Sequence, residues 1–271
     1  MRLHFYKYQG AGNDFIIVDG RVVLPKLTRK EIHQLCNRRF GIGADGLMII
    51  DNATDVDFSM RYFNADGGEG TMCGNGGRCI VAFAAQREVR FLAVDGIHTA
   101  KIIHIQGNES QVCLGMCSVD PPLPYGKDGY YLNTGSPHLV FFGNDIAKLD
   151  VNREGAFWRN HPDFAPKGAN VNFVEAEGDG TLFVRTFERG VEDETFACGT
   201  GVTASAIAAY MRSVNTGSVV NDSDVLRKTH EYAVRTLGGN LHVSFESKDL
   251  HFTNVQLTGP ATFVFEGEIE L

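Results

Sequence analysis

The 271-residue chain is predicted to be an α+β protein of two similar halves, each holding a buried helix enclosed by short strands. Three observations lead there. Short strand-like runs bounded by turn residues dominate the chain, and its 31 glycines fall mostly between them. Two stretches, residues 80–86 and 202–211, contain no charged residue and are rich in alanine. A helix that is apolar all round is buried rather than laid on a surface. The third observation is an internal repeat. Gly10-Ala-Gly-Asn13 lies over Gly135-Ser-Pro-His138, Gly43-Ala44-Asp45 over Gly168-Ala169-Asn170, and Cys73-Gly74-Asn75-Gly76 over Cys198-Gly199-Thr200-Gly201, all 125 residues apart. Arg61-Tyr-Phe63 lies over Arg185-Thr-Phe187 at 124.

In chain order, strands are expected at residues 4–8, 15–18, 47–50, 58–63, 101–105 and 111–114 of the first half. In the second half they are expected at 139–142, 172–174, 182–187, 241–245 and 262–265. Helices are expected at residues 29–36 and after each of Cys73 and Cys198. The halves are expected to be residues 1–118 and 119–271, meeting at Cys117-Ser118-Val119-Asp120-Pro121-Pro122, with an insertion around 212–229 forming a surface loop.

The bulk numbers narrow the function. A net charge of −8 without a Lys/Arg-rich stretch speaks against nucleic acid and anionic membrane, leaving a small soluble substrate as the simplest partner. No signal-like h-region opens the chain and no run of 18 apolar residues occurs, so a cytoplasmic protein is expected. Six cysteines in such a chain are expected to be reduced thiols. Neither Cys113-x-x-x-Cys117 nor Cys73-x₅-Cys79 has the short paired spacing of a zinc site. The Gly74-Asn-Gly-Gly77 turn lacks the Gly-Lys-Ser/Thr ending of a nucleotide loop. No metal or other cofactor is expected.

Cys73 and Cys198 carry the chemistry. Each stands at a predicted helix start, where the positive end of the dipole favours a thiolate. The small residues that follow, Gly74 and Asn75 in one half, Gly199 and Thr200 in the other, leave backbone N–H groups open to an anion. Inverting a carbon needs a base on one face and an acid on the other. A carboxylate held by two such helix ends meets donors aimed at the enediolate-like charge that develops when the neighbouring carbon loses its proton. The repeat makes the two cysteines equivalent members of two facing halves, as such an acid/base pair requires. Cys36, Cys79, Cys113 and Cys117 read as small buried hydrophobes.

Phe63-Asn64-Ala65-Asp66-Gly67, Cys73-Gly74-Asn75-Gly76-Gly77-Arg78-Cys79 and Glu188-Arg189-Gly190, with Ala197-Cys198-Gly199-Thr200-Gly201, resemble the two signatures of the diaminopimelate epimerases. Gly10-Ala-Gly-Asn13-Asp14-Phe15, Pro137-His138 and Asn170 fall in that family's order, and the likeness runs to Leu257-Thr-Gly-Pro260 and beyond. The resemblance implies two pseudo-symmetric domains, each a barrel-like mixed or antiparallel sheet around a central helix, with the last strand able to return to the first domain. It implies interconversion of LL- and meso-diaminopimelate without pyridoxal phosphate, on the route to lysine and peptidoglycan, by a homodimer. His138 and Glu188 would tune and position the thiols. Asn13, Asn64, Asn170 and Arg189 would grip the far end of the substrate, Arg189 as a bidentate clamp on its carboxylate. Two positions depart from the pattern: Gly46 stands where the family often has Gln, and Ser136 where it often has Asn. Both bear on the distal end or the pocket wall.

Two rivals stand beside this reading. A cofactor-free isomerase of the same architecture, of the proline-racemase or phenazine type, is disfavoured by the long two-ended substrate that Glu188-Arg189 and the asparagines suit, and by the retained thiol pair. A non-catalytic binder would not need both thiols.

Overall fold

The computed structural model describes residues 2–22, 26–70, 72–178, 180–217 and 228–271. The chain forms two compact units, Met1–Leu114 with Thr258–Leu271, and Gly115–Leu257. The first contains β1 (Arg2–Gly10), β2 (Asn13–Asp19), α1 (Arg29–Cys36), β3 (Gly46–Asp51), β4 (Phe58–Asn64), α2 (Gly74–Ala84), β5 (Glu88–Ala93), β6 (Gly96–Gln106) and β7 (Glu109–Gly115). The second contains β8 (Leu123–Tyr125), β9 (Gly129–Asn133), β10 (Pro137–Phe142), α3 (Val151–Arg159), β11 (Asn170–Gly178), β12 (Thr181–Glu188), β13 (Asp193–Thr195), α4 (Gly199–Asn215), β14 (Lys228–Thr236) and β15 (Gly239–Lys248). The long β16 (His251–Glu270) begins in the second unit and ends in the first.

In the first unit the strands follow one another from β1 to β7, and the second half of β16 pairs with both β7 and β1, closing a ring of eight. Two neighbours are parallel, β2 with β3 and β4 with β5. A parallel pair needs a crossover, and α1 and α2 supply them. Because strand side chains alternate between faces, β2 and β3 bury both. Ile16, Val18, Leu47 and Ile49 pack with Ile32 and Leu35 of α1 on one face. Phe15 and Met48 lie against Gly76 of α2 on the other. Strands covered on both faces read as continuous apolar runs, as 15–18 and 47–50 do. The start of α1 is set by a capping box: the Thr28 N–H donates to the Glu31 carboxylate (2.7 Å) and the Glu31 N–H to the Thr28 hydroxyl (3.3 Å).

The second unit repeats this plan. β10 is parallel to β11 and β12 to β14, with α3 and α4 as the crossovers. Val171, Phe173, Phe183 and Phe187 pack with Val151 and Trp158 of α3. Here β8 pairs with β9, the place that β16 takes beside β1. The segment before β8 hydrogen-bonds to β16 through Val119 and Phe252 and through Met116 and Val255. These bonds tie residues 115–119 to the second unit. The division therefore falls after Leu114, whereas the sequence places it near residue 118.

The predicted strands form, as does the helix over 29–36. Helix α4 is buried as far as Met211 except at half-buried Thr200 and Ala209, while α2 is buried only through its first two turns and half-exposed at Ala82–Ala84. Of the expected insertion, Arg212–Asn215 continue α4, Lys228 opens β14, and residues 218–227 lie outside the described residues.

Candidate active site

Each key cysteine occupies the N-cap of its buried helix, with extended backbone (φ −100°, ψ 126° at Cys73; φ −114°, ψ 112° at Cys198) and no side-chain capping bond. Their carbonyls accept the first helical hydrogen bonds, from Gly77 N–H (2.7 Å) and Val202 N–H (2.8 Å). The two helix starts thus share one construction, with the first-turn amides uncapped by the sulfur. Cys198 is 8% exposed and Cys73 is half-buried. Gly74, Asn75 and Gly199 are buried, and Thr200 is half-buried.

In the first unit, Asn75 Nδ2 donates to Asn13 Oδ1 (2.5 Å), and Asn13 Nδ2 donates to Asp45 (3.0 Å). Arg78, fully buried, donates to Asn75 Oδ1 (2.9 Å) and to the Gly74 carbonyl (3.3 Å). Burial works against the Arg78 charge and lowers its basicity. Behind Asp45 stand Arg38, which donates to both Asp14 and Asp45 (2.6 Å each), and buried Lys7, 2.7 Å from Asp14. Burial alone would raise the Asp14 carboxyl, but the bonds from Arg38 and Lys7 outweigh it and bring it down to about 2. Asn64 closes β4 opposite Gly46, exposed, with its carbonyl accepting from Gly67 N–H in a tight turn.

In the second unit, Thr200 takes the place of Asn75 and His138 that of Asn13. The Thr200 hydroxyl lies 2.9 Å from His138 Nε2 and 3.4 Å from Cys198 Sγ. The repeat read from sequence therefore holds down to the hydrogen-bonded side-chain pair beneath each helix start. His138 is completely buried, and burial together with the Arg189 charge pushes it down to about 3, so the imidazole is neutral. Asn170 is buried; its Oδ1 accepts from the Arg189 N–H (2.8 Å) and its Nδ2 donates to Ser136 (3.1 Å) and the Pro137 carbonyl (3.2 Å). Arg189 is half-buried, and Glu188 ends β12 half-buried beside it.

Both departures from the family pattern have a visible basis. A Cβ at Gly46 would sit 2.5 Å from the Tyr62 ring and 2.6 Å from the Phe63 carbonyl, so the neighbouring strand has taken the space of a side chain. Ser136 joins the His138 cluster, its hydroxyl 2.9 Å from Nε2. Arg78, Asp45 and Thr186 stand within the sequence motifs without a role of their own, and Asn172 stands outside them. Asn172 was within reach: in the alternating run Asn170-Val-Asn172-Phe it shares a face with Asn170. Of the other cysteines, Cys36 and Cys79 fit the inert reading, their thiols pushed up to about 11 and about 12 by burial. Cys113 is buried too, but Cys117, expected to be buried, is exposed. Among the described residues no cluster of three His, Cys, Asp or Glu side chains could hold a metal, and no helix is long and apolar enough to cross a membrane.

A family model described as diaminopimelate epimerase matches residues 5–111 and 130–264. The diaminopimelate epimerase of Flavobacterium psychrophilum is 44% identical over 275 residues, covering 98% of this chain and 100% of that one. That of Chlorobaculum tepidum is 39% identical, covering 97% and 99%. Among solved structures, a phenazine biosynthesis protein from Bacillus anthracis (TM-score 0.70, 15% identity, all of both chains) and a hydroxyproline epimerase from Agrobacterium vitis (TM-score 0.69, 13% identity, 100% and 93%) share the fold. With matches of this identity running over nearly its whole length, the chain belongs to the diaminopimelate epimerase family and is an isomerase.

Proposed function

We propose that this chain interconverts LL- and meso-diaminopimelate without pyridoxal phosphate, using Cys73 and Cys198 as the two acid/base groups on one carbon. The observation that carries the reading is the duplicated helix start: a cysteine at the N-cap, a sulfur that does not cap the helix, and buried small residues behind it. One cysteine, as thiolate, removes the α-proton. The other, as thiol, delivers a proton to the opposite face, and the reverse direction exchanges the roles. The amides of Gly74 and Asn75 and of Gly199 and Thr200 hold the carboxylate next to the reacting carbon and stabilise the dianion formed as the proton leaves. Removing a donor of this kind costs about 10²–10³ in turnover in enzymes that use one.

His138 and Glu188 support the thiols in this reading. Arg189 clamps the distal carboxylate, with Asn13 and Asn64 at the same end. Asn170 contributes by holding the Arg189 backbone, the bond that its side chain already makes. A homodimer and a cytoplasmic location belong to the same reading, and sedimentation of the purified protein tests the first. The reaction itself is tested by incubating the protein with LL-diaminopimelate in deuterated buffer, before and after dialysis against a chelator. Formation of the meso isomer with deuterium at the inverted carbon, unaffected by the chelator, is expected. Absence of exchange would overturn the reading in favour of a binding protein, and activity lost on dialysis and restored by a metal would overturn its cofactor-free chemistry.

A further inference from the structure

Asn172 has no part in the scheme above, yet its side chain lies fully buried under the start of α4. A Cβ at Gly201 would stand 2.3 Å from its Oδ1. The orientation of its amide follows from its partners. The Leu139 carbonyl can only accept, and it lies 3.2 Å from Nδ2, so that atom is the amide nitrogen. Oδ1, on the other side, accepts from the Thr186 hydroxyl (3.0 Å). The second Nδ2 hydrogen then faces His138 Nδ1 at 3.0 Å. Because buried His138 is neutral, it carries one proton. With Nδ1 accepting, that proton sits on Nε2 and is donated toward the hydroxyls of Ser136 and Thr200, each 2.9 Å away. Asn170 Nδ2 also lies 3.4 Å from Nε2, but its two hydrogens are taken by Ser136 (3.1 Å) and the Pro137 carbonyl (3.2 Å). Ser136, accepting on both sides, gives its own hydrogen to the Thr200 hydroxyl 3.2 Å away, and the Thr200 hydrogen is then directed to Cys198 Sγ, 3.4 Å away.

We propose that Asn172 is a positioning residue for the reaction: it holds His138 in the Nε2–H tautomer and thereby turns the Thr200 hydroxyl hydrogen onto the Cys198 sulfur. A donor aimed at sulfur favours the thiolate over the thiol. The device belongs to one half of the repeat only. In the first unit Met48 lies under the helix start, its sulfur 3.1 Å from where a Cβ at Gly76 would be, and Asn75 and Asn13 replace the Thr200–His138 pair.

The inference rests on Cys198 as an acid/base thiol, but its test reads tautomer and ionisation without substrate, so it fails or stands apart from turnover. Long-range proton–nitrogen NMR of the full chain labelled at histidine, with His138 assigned from the spectrum of His138→Gln, is expected to show the Nε2–H tautomer. The Nδ1–H tautomer or an imidazolium at neutral pH would overturn the proposal whatever any variant does. The second measurement is the pH dependence of iodoacetamide alkylation, resolved by peptide mass spectrometry. It compares the natural chain with Asn172→Leu/Thr186→Val, which removes the amide without leaving the threonine hydroxyl unpaired. The midpoint for Cys198 is expected to rise by about one pH unit, a tenfold loss of thiolate at a given lower pH, while that for Cys73 stays in place. A folded variant whose Cys198 midpoint does not move would overturn the proposal.

Discussion

Cys73 and Cys198 differ from their fellow cysteines in where they stand on the backbone. Cys36 and Cys79 lie within helices and Cys113 within a strand, whereas these two precede a helix. On the proposed mechanism, Cys73→Ser and Cys198→Ser each lower epimerisation by about 10²–10⁴, measured as isomer interconversion by chiral chromatography, with circular dichroism unchanged. Cys113→Ser, in a buried strand, serves as the control and affects thermal stability more than rate. Near-normal turnover in either single variant would sink the two-thiol mechanism. Gly46 illustrates the opposite kind of residue, one whose meaning is steric. Restoring the Gln that the family often has there forces a side chain into the Tyr62 ring and the Phe63 carbonyl. Gly46→Gln is expected to destabilise the fold by about 1–3 kcal/mol, the usual range for overpacking, read as a lower midpoint in urea. From sequence Gly46 was visible as a departure. Its cause was not, because the space is filled by a strand that pairs with it only in the folded chain.

At the scale of elements, the helices that cover the sheets were unequally legible. α1 announces itself by the Thr28–Glu31 capping box and buried Ile32, Leu35 and Cys36. α3 was missed, although it is the counterpart of α1 in the repeat. Its sequence, Val151–Arg159, buries only Val151 and Gly155 fully. Gly155 makes that contact possible: a Cβ there would lie 2.3 Å from Cβ of Phe187. Alanine is the better helix former by about 1 kcal/mol, but the clash is with the strand itself and cannot be relieved by a rotamer. Gly155→Ala is therefore expected to lower the melting temperature, the opposite of what propensity alone dictates, and a rise would show that α3 shifts freely on the sheet. Strands β5, β8, β9, β13 and β14 are likewise not legible in the sequence. In β14 the pattern Lys-Thr-His-Glu-Tyr-Ala-Val-Arg-Thr buries only Val234 and Thr236. That is too little periodicity to declare a strand before β12 and β15 pair with it.

For the whole molecule, the buried ionisable groups set the response to acid. An unfolded histidine takes a proton near pH 6.5, but His138 in the native state does so only at about 3. Between those values the unfolded chain binds the extra proton, so stability from this residue is complete above about pH 6.5 and is lost progressively as pH falls toward 3. Asp14, brought from 3.8 to about 2 by Arg38 and Lys7, adds a second loss below about pH 4. Urea titrations between pH 7 and 3 are expected to show stability falling from the first window onward. His138→Gln should flatten the slope above pH 4 and leave the lower window intact; an unchanged slope in that variant would place the upper loss on another group.

The sequence by itself determined the duplication, the two glycine-led helices with their leading cysteines, and most of the short strands. These are local: a strand-like run between turn residues, a charge-free helix and a repeated motif keep their meaning wherever the rest of the chain goes. The family followed from the same motifs. Only the tertiary structure decided that the end of β16, whose return to the first domain the resemblance left open, completes the first ring of strands, that Tyr62 excludes a side chain at Gly46, and which way the Asn172 amide is turned beside His138. Each of these depends on groups brought together from distant parts of the chain, and the last depends on a single acceptor-only carbonyl, that of Leu139, whose position against Asn172 exists only once β10 and β11 are paired.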